Sequence, residues 1–126
     1  MVDIAQQTAH WRDGAREEWQ VAAELLDKGR IRHALFFTHL AVEKVLKALV
    51  CRHTADLAPR THNLVRLAEL AGVDPEADRL RVFARLNEFC QAGRYPDGLA
   101  ALPDADAARR HVNDANEVFQ WLMQQL

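Results

Sequence analysis

Leu35-Phe-Phe-Thr-His-Leu-Ala-Val-Glu-Lys-Val-Leu-Lys-Ala-Leu49 is the stretch on which the reading of this chain turns. It is hydrophobic nearly all round, the pattern of a helix packed against several others, yet it carries His39, Glu43 and Lys47 at four-residue spacing. At 100° per residue these three lie within roughly 80° of one another, and Arg32, two turns before His39, falls on the same strip. Burying several ionisable groups costs several kcal/mol unless they are paired or wet. The strip is therefore expected to meet a polar partner across a cleft or a second subunit. The competing reading is a Glu43–Lys47 surface pair worth about 0.2–0.5 kcal/mol, with His39 a bystander.

Outward from this run, apolar residues recur at helical spacing almost everywhere, and no stretch alternates with period two or offers a hairpin turn. The chain reads as all-α. A first helix is predicted after Asp3 and up to about Lys28, with Ile4, Thr8, Trp11, Ala15, Trp19, Ala22 and Leu26 along one stripe and Gly29 as its stop. The second spans roughly 31 to 53, with Ile31, Leu35, Thr38, Val42, Val45, Leu46 and Leu49 toward the core and Phe36, Phe37 and Leu40 flanking. Thr61 is placed to cap a short third helix carrying Leu64, Leu67, Ala68 and Ala71 before Gly72. Asp74-Pro75 signals the start of a fourth, with Leu80, Phe83, Leu86 and Cys90 inward, as far as Gly93. Residues 93–103 hold two prolines and two glycines and read as a loop; Asp104 or Asp106 then caps a last helix with Ala108, Val112, Ala115, Phe119, Leu122 and Leu126 on its seam.

The bulk numbers bound what this bundle does. With 126 residues, 49% hydrophobic and 27% charged, one domain over 1–126 with its own core is expected. The formal charge of −2 argues against sequence-blind coating of nucleic acid. No leader-like segment opens the chain and no apolar run reaches the roughly 18 residues of a membrane span, so a cytoplasmic protein is expected. Cys51 and Cys90 form no CxxC and read as inert core thiols. There is no Walker loop, GxSxG, HExxH or Cys/His quartet, so neither a cofactor nor a metal site is expected.

Three segments in order carry a family resemblance. Leu35-Phe36 and His39-Leu40-Ala41-Val42-Glu43-Lys44 with Lys47-Ala48-Leu49, then Arg60-Thr61-His62-Asn63-Leu64, then Arg94-Tyr95-Pro96-Asp97 resemble the helix-two, pre-helix-three and late-loop elements of a HEPN (higher eukaryotes and prokaryotes nucleotide-binding) domain. The resemblance implies a four- to five-helix up-and-down bundle, a homodimer, and polar groups gathered near a cleft at the subunit interface. It also implies a setting: small prokaryotic members often pair with a minimal nucleotidyltransferase as toxin and antitoxin, or stand alone.

Nuclease members of the family cleave RNA without metal, using an Arg followed after four to six residues by a His. The His moves a proton and the Arg steadies the phosphorane charge. Arg32 and His39 have that spacing, about 10 Å apart along a helix; so many Arg and His are present that roughly two such pairs are expected by chance. In those members the pair lies late in the chain, where Arg94 is here followed by Leu99, Ala100 and Ala101 without a His. The alternative is that folding brings Arg94 beside His39.

The candidate catalytic residues are thus His39, Arg94 and Arg32, and the candidate ligand-binding residues Glu43, Lys47, Tyr95, Asp97 and His62. Each has a plainer role available. His62 suits a helix N-terminal contact, and Arg94 suits a pairing with Glu43 or Asp97 that pins the loop. Arg79, Arg81 and Arg85, like Arg109, Arg110 and His111, read as solvated faces that matter only if they line a common groove. Three functions follow, in this order: a nucleotide- or RNA-binding accessory subunit paired with a nucleotidyltransferase, a metal-independent endoribonuclease, and a non-catalytic interaction dimer.

Overall fold

The computed structural model describes residues 2–94 and 102–126, with the side chains of 93 and 94 left out. Among the described residues there are helices and no strands: α1 (Ile4–Asp27), α2 (Ile31–Thr54), α3 (Leu64–Leu70), α4 (Ala77–Arg94) and α5 (Ala105–Met123). The all-α bundle read from periodicity is what forms.

Local chemistry sets most of the boundaries. The Asp3 carboxylate accepts from the Gln6 amide at 3.0 Å and starts α1. At the other end Gly29, at φ 74°, donates to the Leu26 carbonyl while Arg30 donates to that of Leu25, the paired bonds of a Schellman stop. Gly72, at φ 71°, closes α3 the same way through Glu69 and Ala68. Asp104, not Asp106, caps α5 by accepting from Ala107 at 2.8 Å. Two expectations are corrected. Asn63, not Thr61, caps α3, accepting from Val65 and Arg66, while Thr61 accepts from Asn63 just before the helix. The fourth helix begins at Ala77, two residues beyond Pro75.

α2 is the axis of the bundle and packs against each of the other four helices. From Ala34 to Cys51 nearly every residue is buried, which is why the run is apolar on all sides. Around it Ala15, Leu64, Leu67, Phe83, Leu86, Ala115, Phe119 and Leu122 complete one continuous core. Trp19 of α1 stacks on Phe119 of α5, ring centroids 4.7 Å apart. Arg52 ties the end of α2 to the residues that follow α5 by donating to the main-chain carbonyls of Gln125 and Leu126 at 3.0 and 2.7 Å. Leu80, expected inward, is exposed, because Phe83, Leu86 and Cys90 fix which side of α4 meets the core.

Candidate functional site

Three of the four strip residues on α2, His39, Glu43 and Lys47, are buried and partnered. His39, Glu43 and Lys47 are 1%, 3% and 6% exposed, so the Glu43–Lys47 contact is not the surface pair weighed above. Glu43 is the hub. Its Oε2 takes the Lys47 ammonium at 3.1 Å, and its Oε1 accepts from His62 Nδ1 at 2.9 Å, with His39 Nδ1 at 3.7 Å from the same oxygen. Lys47 also lies over the Trp11 ring of α1, 5.2 Å from its centroid, so its charge is flanked by a carboxylate and a π face.

His39 is spent on structure-building bonds. Its Nε2 is 2.9 Å from the His62 carbonyl and 3.3 Å from Asn87 Oδ1. Both partners accept, so Nε2 carries a proton and donates. The same Asn87 oxygen accepts from the Leu64 amide at 3.1 Å, while Asn87 Nδ2 donates to Asn63 Oδ1 at 3.2 Å. One side chain of α4 thereby joins α2 to the start of α3. Burial holds the pKa of His39 below its ordinary value, against the opposing pull of Glu43 and of the bonds to Asn87 and the His62 carbonyl.

His62 is the member of the network that meets solvent. Its side chain is 51% exposed, and with Nδ1 on Glu43 its Nε2 has no hydrogen-bond partner among the described residues. A buried carboxylate, itself held by a lysine, therefore orients an imidazole whose outer nitrogen faces away from it. That is the arrangement by which an Asp or Glu presents a histidine for hydrogen bonding or proton transfer.

The remaining candidates are not gathered there. Arg32 sits exposed in the first turn of α2, without an ion pair among the described residues. Arg94 is described only as the last residue of α4, and Tyr95 and Asp97 lie outside the described residues. Two members went unnoticed in the sequence, Asn87 and Trp11. Asn87 had a signal, since it stands four residues after Phe83 and three before Cys90, on the apolar stripe of α4 where a polar side chain needs a partner. Trp11 was legible only as one more residue of the α1 stripe.

Among the described residues no group of three or more His, Cys, Asp or Glu is placed to hold a metal ion. Both cysteines are free and buried, and burial pushes the Cys51 thiol up from its ordinary pKa, which keeps it protonated and unreactive. No described helix is long and apolar enough to cross a membrane.

Two solved structures share this fold. TT1696 from Thermus thermophilus is 24% identical, with a TM-score of 0.77 over 95% of this chain and 98% of that one. ST0689, an archaeal HEPN homologue, is 22% identical, with a TM-score of 0.73 over 94% and 96%. No curated protein matches the chain. The family model for the HEPN domain matches residues 8–126, nearly the whole of the bundle and all of the His39–Glu43–His62 network, and the chain belongs to the HEPN domain family.

Proposed function

We propose that this HEPN domain is a binding and accessory subunit that takes a phosphate-bearing ligand, a nucleotide or a short RNA segment, at the exposed edge of its polar network. The observation that carries this reading is the half-exposed His62 ring, fixed through Nδ1 to the buried Glu43 and free at Nε2. An imidazole held in this way donates to a phosphate oxygen when protonated and accepts from a ribose or base donor when neutral. Lys47 holds Glu43 in place but is itself buried, so it supports the site without reaching the ligand. The minimal nucleotidyltransferase is the candidate partner, and a homodimer is the proposed assembly; both belong to this reading.

The endoribonuclease alternative asks a histidine to exchange a proton with RNA. His39 is 1% exposed and its Nε2 is committed to two acceptors. If cleavage occurs, the geometry favours His62 as the proton carrier over His39 paired with Arg94 or Arg32.

Fluorescence anisotropy with labelled short RNA and with labelled nucleotides tests the binding reading. Wild type is expected to bind about tenfold more tightly than His62→Ala, a loss of one charge-assisted hydrogen bond. Equal affinity of the two, or no binding by wild type, overturns it. Incubation of RNA with wild type, His39→Ala, Arg94→Ala and His62→Ala separates the nuclease alternative; cleavage lost in His39→Ala and Arg94→Ala but kept in His62→Ala would restore the His39 site.

A further inference from the structure

A concave region lies on the side of α4 away from Asn87. Arg85 is two positions before Asn87, hence about 160° round the helix from it. Together with Arg79 and Arg81 it forms one wall of a groove of about 530 Å³ whose other wall is α5, with Asp114, Glu117 and His111. Of the solvated faces read from the sequence, Arg79, Arg81, Arg85 and His111 line this groove, and Arg109 and Arg110 do not. Its floor is apolar, made by Val82 and by Leu86 and Val118, which are 1% and 2% exposed. The volume falls within the roughly 300–1,000 Å³ of small-ligand sites.

The charges here are arranged unlike those of a surface ion-pair lattice. Arg81 is neutralised by Asp78 within its own helix. Among the described residues, however, Arg85 on one wall and Asp114 and Glu117 on the other have no ion-pair partner, although Arg85 and Asp114 both act on the His111 ring between them, with opposite sign. Arg79 lies over Trp121, its guanidinium carbon 4.1 Å from the ring centroid, and also lacks a carboxylate partner among the described residues. His111 is braced from behind by an edge-on contact with Phe89 at 5.2 Å. The α4 wall thus offers two unpaired guanidiniums with one unpaired carboxylate, Glu76, at its start, and the α5 wall two carboxylates, with an apolar strip between them.

That pattern discriminates between ligand classes. Carboxylates lining the groove are Glu76, Asp78, Asp114 and Glu117, against the guanidiniums of Arg79, Arg81 and Arg85, so a phosphate chain enters a surface of net negative charge and is disfavoured. A purely cationic ligand meets the arginine wall. A molecule with an anionic and a cationic end separated by an apolar body satisfies both walls and the floor. We propose that the α4–α5 groove is a binding site for a zwitterionic ligand of the amino-acid or short-peptide class, its carboxylate on Arg85 and Arg79, its ammonium on Asp114 and Glu117, and its apolar body over Val82, which the buried Leu86 and Val118 back from beneath.

The test is an amide NMR titration of the full chain with the dipeptide leucyl-leucine, with its N-acetylated form, with its C-terminal amide, and with adenosine monophosphate. Leucyl-leucine is expected to give saturable shifts at residues 82–86 and 111–118, and each blocked form to bind at least about tenfold more weakly. Arg85→Gln and Asp114→Asn, both exposed positions whose folding a thermal melt checks, are expected to weaken leucyl-leucine by about the same factor. The proposal is overturned by the absence of saturable shifts in the groove up to about 10 mM, since binding weaker than that falls short of about 3 kcal/mol. It is equally overturned if the blocked forms or either variant bind as well as the parent pair, or if the nucleotide occupies the groove more tightly than the dipeptide.

Discussion

The two faces of this bundle handle charge in opposite ways. On α2, Glu43 and Lys47 are almost wholly buried and partnered, ammonium on one carboxylate oxygen and imidazole on the other. Between α4 and α5, Arg85, Asp114 and Glu117 stand exposed near one another without pairing. Burial explains the difference. Inside, the loss of hydration leaves no alternative to pairing, and a missing partner costs several kcal/mol. In the groove, water satisfies each group, and closing an exposed pair gains at most about 1 kcal/mol against the entropy of two long side chains. The inner network is therefore a fixed device that aims His62, whereas the outer charges are available to whatever enters.

The sharpest way to break this contrast is to neutralise the hub. Glu43→Gln keeps the volume but leaves the Lys47 ammonium buried without its counter-charge, and urea denaturation is expected to show a loss of about 3–5 kcal/mol. Adding Lys47→Met should recover much of that loss, because no unpaired charge then remains inside. A drop below about 1 kcal/mol in the single variant would mean that the network is wet enough to behave like the groove.

Why the inner network was half legible follows from where its members come from. His39, Glu43 and Lys47 share one helix, so spacing alone aligned them, and an apolar surround marked them as costly. Asn87 reaches His39 from α4, and His62 reaches the Glu43 hub from the segment before α3. Nothing local in sequence states which polar residue of another element will be satisfied by which buried partner. The same limit applied to the α3 cap: Thr61 and Asn63 are both good capping residues two positions apart, and the choice was made by Asn87, which donates to Asn63 and accepts from Leu64. The helices themselves were readable because each has a seam of apolar residues three and four apart and most have a polar or glycine stop. The start of α4 misled because Pro75 is compatible with a first turn without compelling one. The groove was foreseen only as a condition on the arginines, since its acidic wall belongs to a helix some thirty residues later in the chain.

A smaller effect is acid sensitivity, to which His39 and His111 contribute in the same direction. Burial lowers the pKa of His39 in the folded state, so below the unfolded value near 6.5 the unfolded chain binds a proton that folded His39 resists. His39 therefore contributes stability that is complete above about pH 6.5 and declines as pH falls through the window below it. His111 acts in the same direction, through its burial first and then the nearby Arg85 charge. The slope is bounded by about 1.4 kcal/mol per pH unit for each group. Urea unfolding of His39→Gln between about pH 7 and pH 5 should give a shallower decline than wild type, with the remainder reduced by adding His111→Gln. An unchanged slope in the double variant would place the acid sensitivity elsewhere.

The smallest effect lies in the groove and is informative for its size. Arg85→Gln and Asp114→Asn remove exposed charges that bond to no described residue, so each is expected to change stability by no more than about 0.5 kcal/mol. Because the two face a common ring, His111, their removal also shifts that ring's titration in opposite senses: loss of the Arg85 charge raises its pKa and loss of the Asp114 charge lowers it. Following the His111 ring protons by NMR across pH in the two variants checks both statements at once. Opposite displacements with unchanged stability would fix the walls on either side of His111 as uncommitted charges. A stability loss comparable to that of Glu43→Gln would mean instead that the outer charges are paired, and the difference between the two faces would then be one of degree.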